Sequence, residues 1–276
     1  DMTLTDPLPS LEEILDSIGA GGLRLAAIDA TEGGAGNVSV CIGWPIEVRR
    51  QFPMAEEIEL PLPAPNLRGH TVLVTGSGRR LRDLDRLPLQ SIGAVVIGDE
   101  GTRGTLYTAN VRQFEALTSE WNSHLAVHDD TVGRTGTNFH AVVHAQPPNL
   151  VYLSHIPSYR EDGERFSRRL IRWQPETIVQ LPAGIGILPF MLPSSVELAE
   201  ATVASLREHR ITVWSKHGVM ARSDISVTRA VDRIEYAEAG ARYEYLDLMA
   251  GGQGEGLTDE ESAEMVRVFG IETKLF

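Results

Sequence analysis

Two histidines and a glutamine have the types and spacing of ligands for one divalent metal ion. His144 and Gln146 are separated by one residue, in an alternating run that begins at His140. On a β-strand such residues point to the same face, so both side chains can reach one ion. His217 follows a second apolar run and precedes a glycine, a position where ligands collect in α/β sheets. A buried histidine with ordinary hydrogen bonds is the alternative for each, and the sequence does not decide between the two.

Glu120 is the candidate acid/base residue. It opens a predicted helix, after Thr118 or Ser119 as the cap, and is followed by Trp121. The helix dipole would ordinarily keep the pKa of such a carboxyl low. Burial beside Trp121 would raise that pKa toward the range that suits proton transfer to carbon. The alternative is a solvated glutamate in the first helical turn.

A glycine turn after an apolar strand is the candidate anion site. Gly76, Ser77 and Gly78 place a hydroxyl between two residues that tolerate positive φ, so the amides of the turn can converge on an anion. Arg79 follows and adds positive potential. The turn lacks the lysine of a phosphate-binding P-loop and the spacing of a dinucleotide fingerprint, which excludes a nucleotide site. A purely structural turn is the alternative.

Helices and strands that alternate along the chain are predicted to position these residues. Apolar runs predict strands near residues 38–40, 71–75, 93–97, 106–111, 140–146, 177–181 and 211–214. Helical spacing and capping residues predict helices over residues 11–20, from Trp121 onward, and over residues 196–209, 225–248 and 258–269. The proline-containing residues 51–68 are predicted to form a loop. The absence of repeats and linkers predicts one domain over residues 1–276, with residues 1–10 as a flexible extension.

Composition excludes several functional classes. The chain has 276 residues, a formal net charge of -13 and no isolated basic cluster, so nucleic acid is not an expected partner. Cys41 is the only cysteine, which fits a reducing compartment. No signal-peptide pattern and no uncharged stretch of about 18 residues is present, so we expect a cytoplasmic protein without a membrane span.

Short motifs in a fixed order resemble the landmarks of the class II aldolase and adducin superfamily. A further segment, residues 184–193, resembles its L-rhamnulose-1-phosphate aldolase branch. The resemblance extends from about residue 20 to near the C-terminus. The five ordered motifs are Gly36-Asn37-Val38-Ser39, Thr75-Gly76-Ser77-Gly78, Thr118-Ser119-Glu120, His144-x-Gln146-Pro147-Pro148-Asn149 and Lys216-His217-Gly218.

The resemblance implies a fold, an assembly and a set of residue roles. The fold would be a single α/β domain with a central, mostly antiparallel sheet flanked by helices, assembled as a homotetramer with active sites near the subunit interfaces. The activity would be that of a zinc-dependent aldehyde-lyase. The implied roles are metal binding by His144, Gln146 and His217, catalysis by Glu120 and Glu176, and phosphate binding by Asn37, Ser77, Gly78, Thr118 and Ser119.

Gln146 is the main departure from the family pattern, which is His-x-His. Three outcomes are open: Gln146 binds the metal, another side chain completes the coordination shell, or the affinity falls and another divalent ion replaces zinc. The candidates for another side chain are Glu120, Glu176 and His155. Ser194 also stands where the family has a glycine.

The function implied is the reversible cleavage of a ketose 1-phosphate to dihydroxyacetone phosphate and a hydroxyaldehyde such as lactaldehyde. A sugar-phosphate epimerase of the same superfamily is one alternative, although those enzymes usually have an aspartate at the position of Glu120. A metal-free, adducin-like interaction module is the other, and Gln146 is the residue that favours it.

Overall fold

Apolar segments of the chain form a β-sheet at the centre of the structure. The computed structural model describes residues 3–276, and within them nine strands form one sheet. In chain order they are β1 (Asn37–Ile42), β2 (Met54–Glu59), β3 (Thr71–Thr75), β4 (Ile92–Ile97), β5 (Arg103–Thr108), β6 (Phe139–Ala145), β7 (Gly186–Leu188), β8 (Ile211–Trp214) and β9 (Gly218–Ser223). The spatial order is β2-β5-β4-β3-β1-β6-β9-β8-β7. Every neighbouring pair is antiparallel except β7 and β8.

Helices cover both faces of this sheet. Among residues 3–276 they are α1 (Leu11–Ala27), α2 (Pro88–Ser91), α3 (Trp121–Thr135), α4 (Pro148–Ser154), α5 (Pro157–Arg160), α6 (Gly163–Ile171), α7 (Pro175–Gln180), α8 (Val196–Glu208), α9 (Val227–Met249) and α10 (Asp259–Phe269). Helices α1 and α9 pack together on one face, and α3 and α8 pack together on the other. The prediction of one α/β domain with a mostly antiparallel sheet flanked by helices is confirmed.

Strand β6 has the two-sided pattern that its sequence predicts. Ala141 and Val143 lie in the core beneath α1 and α9, whereas Val142 packs with Trp214 on the face covered by α3 and α8. Full burial of such an aliphatic side chain contributes about 1.5–3 kcal/mol. A register slip of one residue would exchange the two faces, so this burial fixes where His144 points.

Two predicted segments are wrong. Of residues 177–181, predicted as a strand, residues 177–180 belong to α7 and Leu181 is its C-cap, because Pro175 occupies a first-turn position that favours helix initiation. The adjacent residues Thr177 and Ile178 are both buried, which is not the alternation of a strand. Residues 51–68, predicted as a loop, contain β2, a largely exposed edge strand rich in glutamate. Its pairing with β5 depends on backbone hydrogen bonds, which the hydrophobic pattern does not report.

Helix α1 is longer than its predicted range. It begins after Ser10, which forms a capping box with Glu13, and it continues through the glycine cluster that was predicted to end it. A Cβ at Gly22 would lie 2.1 Å from the Leu81 carbonyl oxygen. The glycine therefore permits a close backbone approach within the helix instead of terminating it.

The predicted flexible extension, residues 1–10, stays a prediction. Residues 1 and 2 lie outside the described residues, and Leu4 exchanges two backbone hydrogen bonds, each of 2.9 Å, with the side-chain amide of Asn138. No helix between residues 3 and 276 has the length and apolar character needed to cross a bilayer.

Candidate active site

The turn between β8 and β9 brings His217 beside His144. The two imidazole centroids are 5.1 Å apart, and each ring also contacts Trp214, at 4.7 Å for His144 and 5.1 Å for His217. His144 is buried on β6 and pairs in register with Met220 of β9. Residues separated by 73 positions in the chain therefore meet because β6 and β9 are neighbouring strands.

The backbone of this turn is held from two sides. Lys216 has a positive φ of 63°, and its amide donates to Ser154 Oγ at 2.8 Å. A Cβ at Gly218 would come within 2.5 Å of the Ala145 carbonyl oxygen and 2.9 Å of His144 Cε1. Glycine at position 218 is thus required for the close approach of the turn to His144.

Both imidazoles are prepared in the neutral form that binds metal ions. Val219 O accepts a hydrogen bond of 2.8 Å from His144 Nδ1, which leaves the lone pair on Nε2. Burial, and then the neighbouring His217, lower the pKa of His144 to about 3, against a smaller opposing effect of the Val219 carbonyl. Burial also lowers the pKa of His217, whose Nδ1 is buried without a hydrogen-bond partner among residues 3–276.

Glu120 faces His217 from the start of α3. Its Oε1 lies 3.9 Å from His217 Nε2, and its Oε2 is buried and unpaired among the described residues. The residue is 4% exposed, and this burial raises the pKa of its carboxyl to about 7, while the backbone amide of Ser194 acts in the opposite direction. A carboxyl with such a pKa can both accept and release a proton near neutral pH.

The local structure around Glu120 differs from the expected cap. Glu120 is itself the N-cap of α3, and Thr118 Oγ1 accepts from its amide at 3.3 Å. Neither Thr118 nor Ser119 caps the helix. Ser194, at the family's glycine position, has a positive φ of 64°, and its carbonyl accepts from Asn122 Nδ2 at 3.0 Å.

The two segments predicted to bind an anion lie side by side. Ser77 N donates to the Ala116 carbonyl at 2.8 Å, and Thr118 N donates to Thr75 O at 3.0 Å. Gly78 has a positive φ of 75°, and a Cβ there would have open space around it. The residues at this surface include exposed Ser77, Gly78 and Ser119, next to buried Thr118.

Asn37 connects the anion segments with the histidines. It pairs in register with His144 on the neighbouring strand β6. In the glycine loop that precedes it, a Cβ at Gly36 would lie 3.0 Å from His144 O, and one at Gly34 would lie 3.8 Å from Gly78 O. The loop therefore spans the short distance between the two parts of the site.

The donor set fits a divalent metal ion that accepts nitrogen and oxygen ligands. Two neutral imidazoles converge, and unpaired buried atoms of His217 and Glu120 lie beside them. Gln146 Cγ would be 3.1 Å from a Cβ at Gly218, so the glutamine flanks the same glycine as His144. Among residues 3–276 no three His, Cys, Asp or Glu side chains form a ready metal-binding group.

Comparison with known proteins decides the family. The family model for the Class II Aldolase and Adducin N-terminal domain matches residues 17–245. The chain belongs to this family. A rhamnulose-1-phosphate aldolase of Bacteroides thetaiotaomicron is 32% identical to this class II aldolase over 244 residues, which are 87% of this chain and 88% of that protein. A protein of the same name from Klebsiella pneumoniae is 28% identical over 78% of this chain and 76% of its own length.

Solved structures agree with this assignment. A sugar-phosphate aldolase from Thermotoga maritima superimposes with a TM-score of 0.73 at 26% identity, covering 87% of this chain and 97% of that one. An L-fuculose 1-phosphate aldolase shares the fold, with a TM-score of 0.59 at 18% identity over 96% of this chain and all of the other. This class II aldolase is thus an aldehyde-lyase, and metal dependence is a general property of its class.

The structure does not bring every predicted residue of the aldolase to the histidine pair. Glu176 is exposed in the first turn of α7, where its Oε1 accepts from Gln180 Nε2 at 3.1 Å, and no contact among residues 3–276 joins it to Glu120 or the histidines. His155 is exposed at the end of α4. Both roles stay predictions.

Sequence reasoning missed several residues that support the site of the aldolase. Ser154 Oγ accepts from the Lys216 amide, a contact that no motif reports. The sequence identified Ser194 only as a departure from the family's glycine, and not as the residue whose backbone hydrogen bond acts on Glu120. His124 and His128 are four residues apart on α3, both contact Ser39 Oγ, and His128 also contacts His140 of β6. That helical spacing was a usable signal, because residues four apart share one face of a helix.

Proposed function

We propose that this aldolase reversibly cleaves a ketose 1-phosphate of the L-rhamnulose type into dihydroxyacetone phosphate and a hydroxyaldehyde such as lactaldehyde. One observation carries the proposal: the buried Glu120, with a pKa of about 7, faces two neutral imidazoles beside a polar, glycine-containing surface. The names of the relatives from Bacteroides thetaiotaomicron and Klebsiella pneumoniae support this choice of substrate.

Three groups of residues divide the chemistry. His144, His217 and Gln146 would hold a divalent cation, with Zn²⁺ as the first candidate. When bound, such a cation supplies Lewis-acid stabilisation of negative charge on the substrate carbonyl oxygen. Asn37, Ser77, Gly78, Thr118 and Ser119 would bind the phosphate, which orients the carbonyl end of the sugar toward Glu120.

Glu120 transfers the proton to and from the carbon next to the substrate carbonyl. When the carbon–carbon bond breaks, the hydroxyl on the departing carbon releases its proton to solvent water and that carbon becomes the aldehyde. The bonding electron pair stays with the carbon next to the carbonyl, and Glu120 in its acid form protonates that carbon. In the synthetic direction the carboxylate removes the same proton, which requires a pKa close to the working pH.

Product analysis tests the proposal. Purified protein would be stripped with a chelator, reloaded with zinc, and incubated with L-rhamnulose 1-phosphate, while dihydroxyacetone phosphate is followed through a coupled reduction. L-fuculose 1-phosphate provides a stereochemical control. We expect two carbon fragments, and a single isomer would indicate an epimerase. Absence of any conversion of either sugar phosphate by the reloaded protein would refute the proposed substrate.

We also propose that the chain assembles as a homotetramer. Large apolar side chains near Ser194 are exposed, with 52% exposure for Phe190, 70% for Leu192 and 65% for Val196. Such a patch beside the site is typical of an association surface. Light scattering on the purified protein measures the oligomeric state, and a monomer at assay concentration would contradict the proposal.

A further inference from the structure

A chain of buried hydrogen bonds runs from Asn37 into the interior. Asn37 Oδ1 contacts His124 Nε2, and His124 Nδ1 lies 2.6 Å from Ser39 Oγ. Ser39 Oγ is also 2.6 Å from His128 Nε2, and His128 Nδ1 is 2.8 Å from His140 Nδ1. The chain ends there, because His140 Nε2 is buried without a partner among the described residues. Ser39 and the three imidazoles are fully buried.

The hydrogen bonds of this chain share one direction. Burial is the main cause that lowers the pKa of each imidazole well below its ordinary value, so each ring carries one N–H and one lone pair. A ring that accepts at one nitrogen must then donate from the other. The serine hydroxyl relays the same order, because it donates one hydrogen bond and accepts another. The direction of donation in the hydrogen bond at one end therefore determines the direction of donation at the other end.

His140 selects that direction. In the alternative order, Asn37 would donate to His124, each group would donate to the next, and His140 would accept from His128. His140 would then carry an N–H on its unpaired Nε2, and an unpaired buried N–H is rarer in proteins than an unpaired acceptor. The positive charges of Arg222 and Arg233, which act on His140, also favour a lone pair there over an N–H. His140 thus donates to His128, and the order passes through Ser39 to His124.

At the other end of the hydrogen-bond chain, this order of donors and acceptors determines the orientation of the Asn37 side-chain amide. His124 donates from Nε2, so it selects the oxygen of the amide and turns the NH₂ group away from itself. Asn37 Nδ2 has no hydrogen-bond partner among residues 3–276. Asn37 is beside His144, and its glycine loop lies near Gly78, so an anion bound there would meet a donor.

We propose that Ser39, His124, His128 and His140 are positioning residues that fix the Asn37 amide with its NH₂ group toward the substrate phosphate. This role depends on the phosphate-binding assignment of Asn37 within the proposed function. The imidazoles of the chain neither touch the substrate nor carry its protons. They supply orientation, because an amide free to flip would present an oxygen lone pair to the anion half of the time.

Three variants of the full-length, metal-loaded enzyme separate orientation from folding. Ser39→Ala interrupts the chain at its centre. Asn37→Asp retains an acceptor for His124 but removes the NH₂ group. Ser123→Ala is the matched control, because Ser123 is a fully buried serine next to His124 whose hydroxyl has no partner among residues 3–276.

The kinetic readout is a split between KM and kcat. For Ser39→Ala we expect KM for L-rhamnulose 1-phosphate and the inhibition constant of inorganic phosphate to rise about tenfold, with kcat within about twofold. Inhibition by unphosphorylated dihydroxyacetone should not change. Asn37→Asp should weaken phosphate binding at least as much, and Ser123→Ala should match the wild type.

Nitrogen NMR of the unmodified protein tests the chain without any variant. We expect the proton on Nε2 of His124, on Nε2 of His128 and on Nδ1 of His140. Any other set of tautomers overturns the inference, even if Ser39→Ala does not fold.

The remaining outcomes distinguish the inference from the proposed function. If Asn37→Asp weakens phosphate binding and a folded Ser39→Ala does not, the positioning role is wrong while the function stands. If neither variant weakens it, Asn37 does not bind phosphate and the inference fails, whereas the cleavage assay still decides the reaction. A parallel loss in Ser123→Ala also overturns it, because the effect would then come from general packing.

Discussion

Gly218 lies against His144 so closely that a Cβ at position 218 would be 2.9 Å from His144 Cε1. The same Cβ would be 2.5 Å from the Ala145 carbonyl oxygen, a backbone atom that cannot rotate away. The distance between β6 and the turn that carries His217 therefore depends on the absence of a side chain at this position. We therefore expect metal binding at the proposed site and local packing to be coupled through Gly218.

Gly218→Ala should weaken both stability and metal binding. The overpacking costs about 1–3 kcal/mol of unfolding free energy, and the turn must move away from His144. Denaturant unfolding and zinc titration against a chromogenic chelator measure the two effects. Gly163→Ala is the control, since a Cβ there would have its nearest contact at an ordinary 3.6 Å. Unchanged zinc affinity in a folded Gly218→Ala would show that the coupling is absent.

Glu120→Gln should remove cleavage while leaving the fold and the metal in place. The amide fills the same space but neither accepts nor releases the proton at carbon, so we expect kcat to fall about 10²–10⁴-fold. Steady-state kinetics and metal analysis of the same sample provide the measurement. Glu115→Gln, at an exposed glutamate five positions earlier, should behave like the wild type. Normal turnover by Glu120→Gln would refute its assignment as the acid/base residue.

Gln146→His should strengthen zinc binding. It restores the family's His-x-His pattern next to His144, and imidazole is a better zinc ligand than a carboxamide, so the affinity should rise on the order of tenfold or more. Gln146→Leu keeps the side-chain bulk without a donor atom and should weaken binding. Competition with a chromogenic chelator ranks the three proteins. Equal affinities would mean that residue 146 does not coordinate the metal.

Asp130→Asn should lower the free energy of unfolding at neutral pH but not in acid. Burial alone would raise the pKa of Asp130, but Arg207 at 2.5 Å and Arg134 at 2.8 Å together lower it below its ordinary value of 3.8. A depressed native pKa stabilises the fold above the unfolded-state pKa, and this stabilisation disappears as the pH falls through the native value. Urea unfolding at pH 7 and near pH 3 measures the difference.

The control for this pair is Asp99→Asn, at an exposed aspartate outside the helices. It should leave the pH dependence of unfolding unchanged. A stability loss for Asp130→Asn that does not become smaller as the pH falls from 7 would contradict the ion-pair explanation, because protonation of the wild-type carboxyl removes its ion pairs with Arg207 and Arg134.

The sequence by itself determined the residue types and the order of the motifs. It predicted strand β6 with apolar Ala141 and Val143 on one face, the capped helix α10, and the departure at Gln146. These features depend on neighbours within a few positions, where period and capping chemistry operate. It failed for α7, where an N-terminal proline outweighed a β-branched run, and for β2, whose pairing involves only the backbone.

Only the tertiary structure decided which residues remote in sequence come into contact. His144 and His217 converge because β6 and β9 are adjacent in a sheet whose spatial order differs from the chain order. The pKa of Glu120 is set by burial in the folded chain, and the backbone hydrogen bond that opposes this effect comes from Ser194, which is remote in sequence. Desolvation and hydrogen-bond direction depend on the complete surroundings of an atom, and those surroundings exist only when the chain is folded.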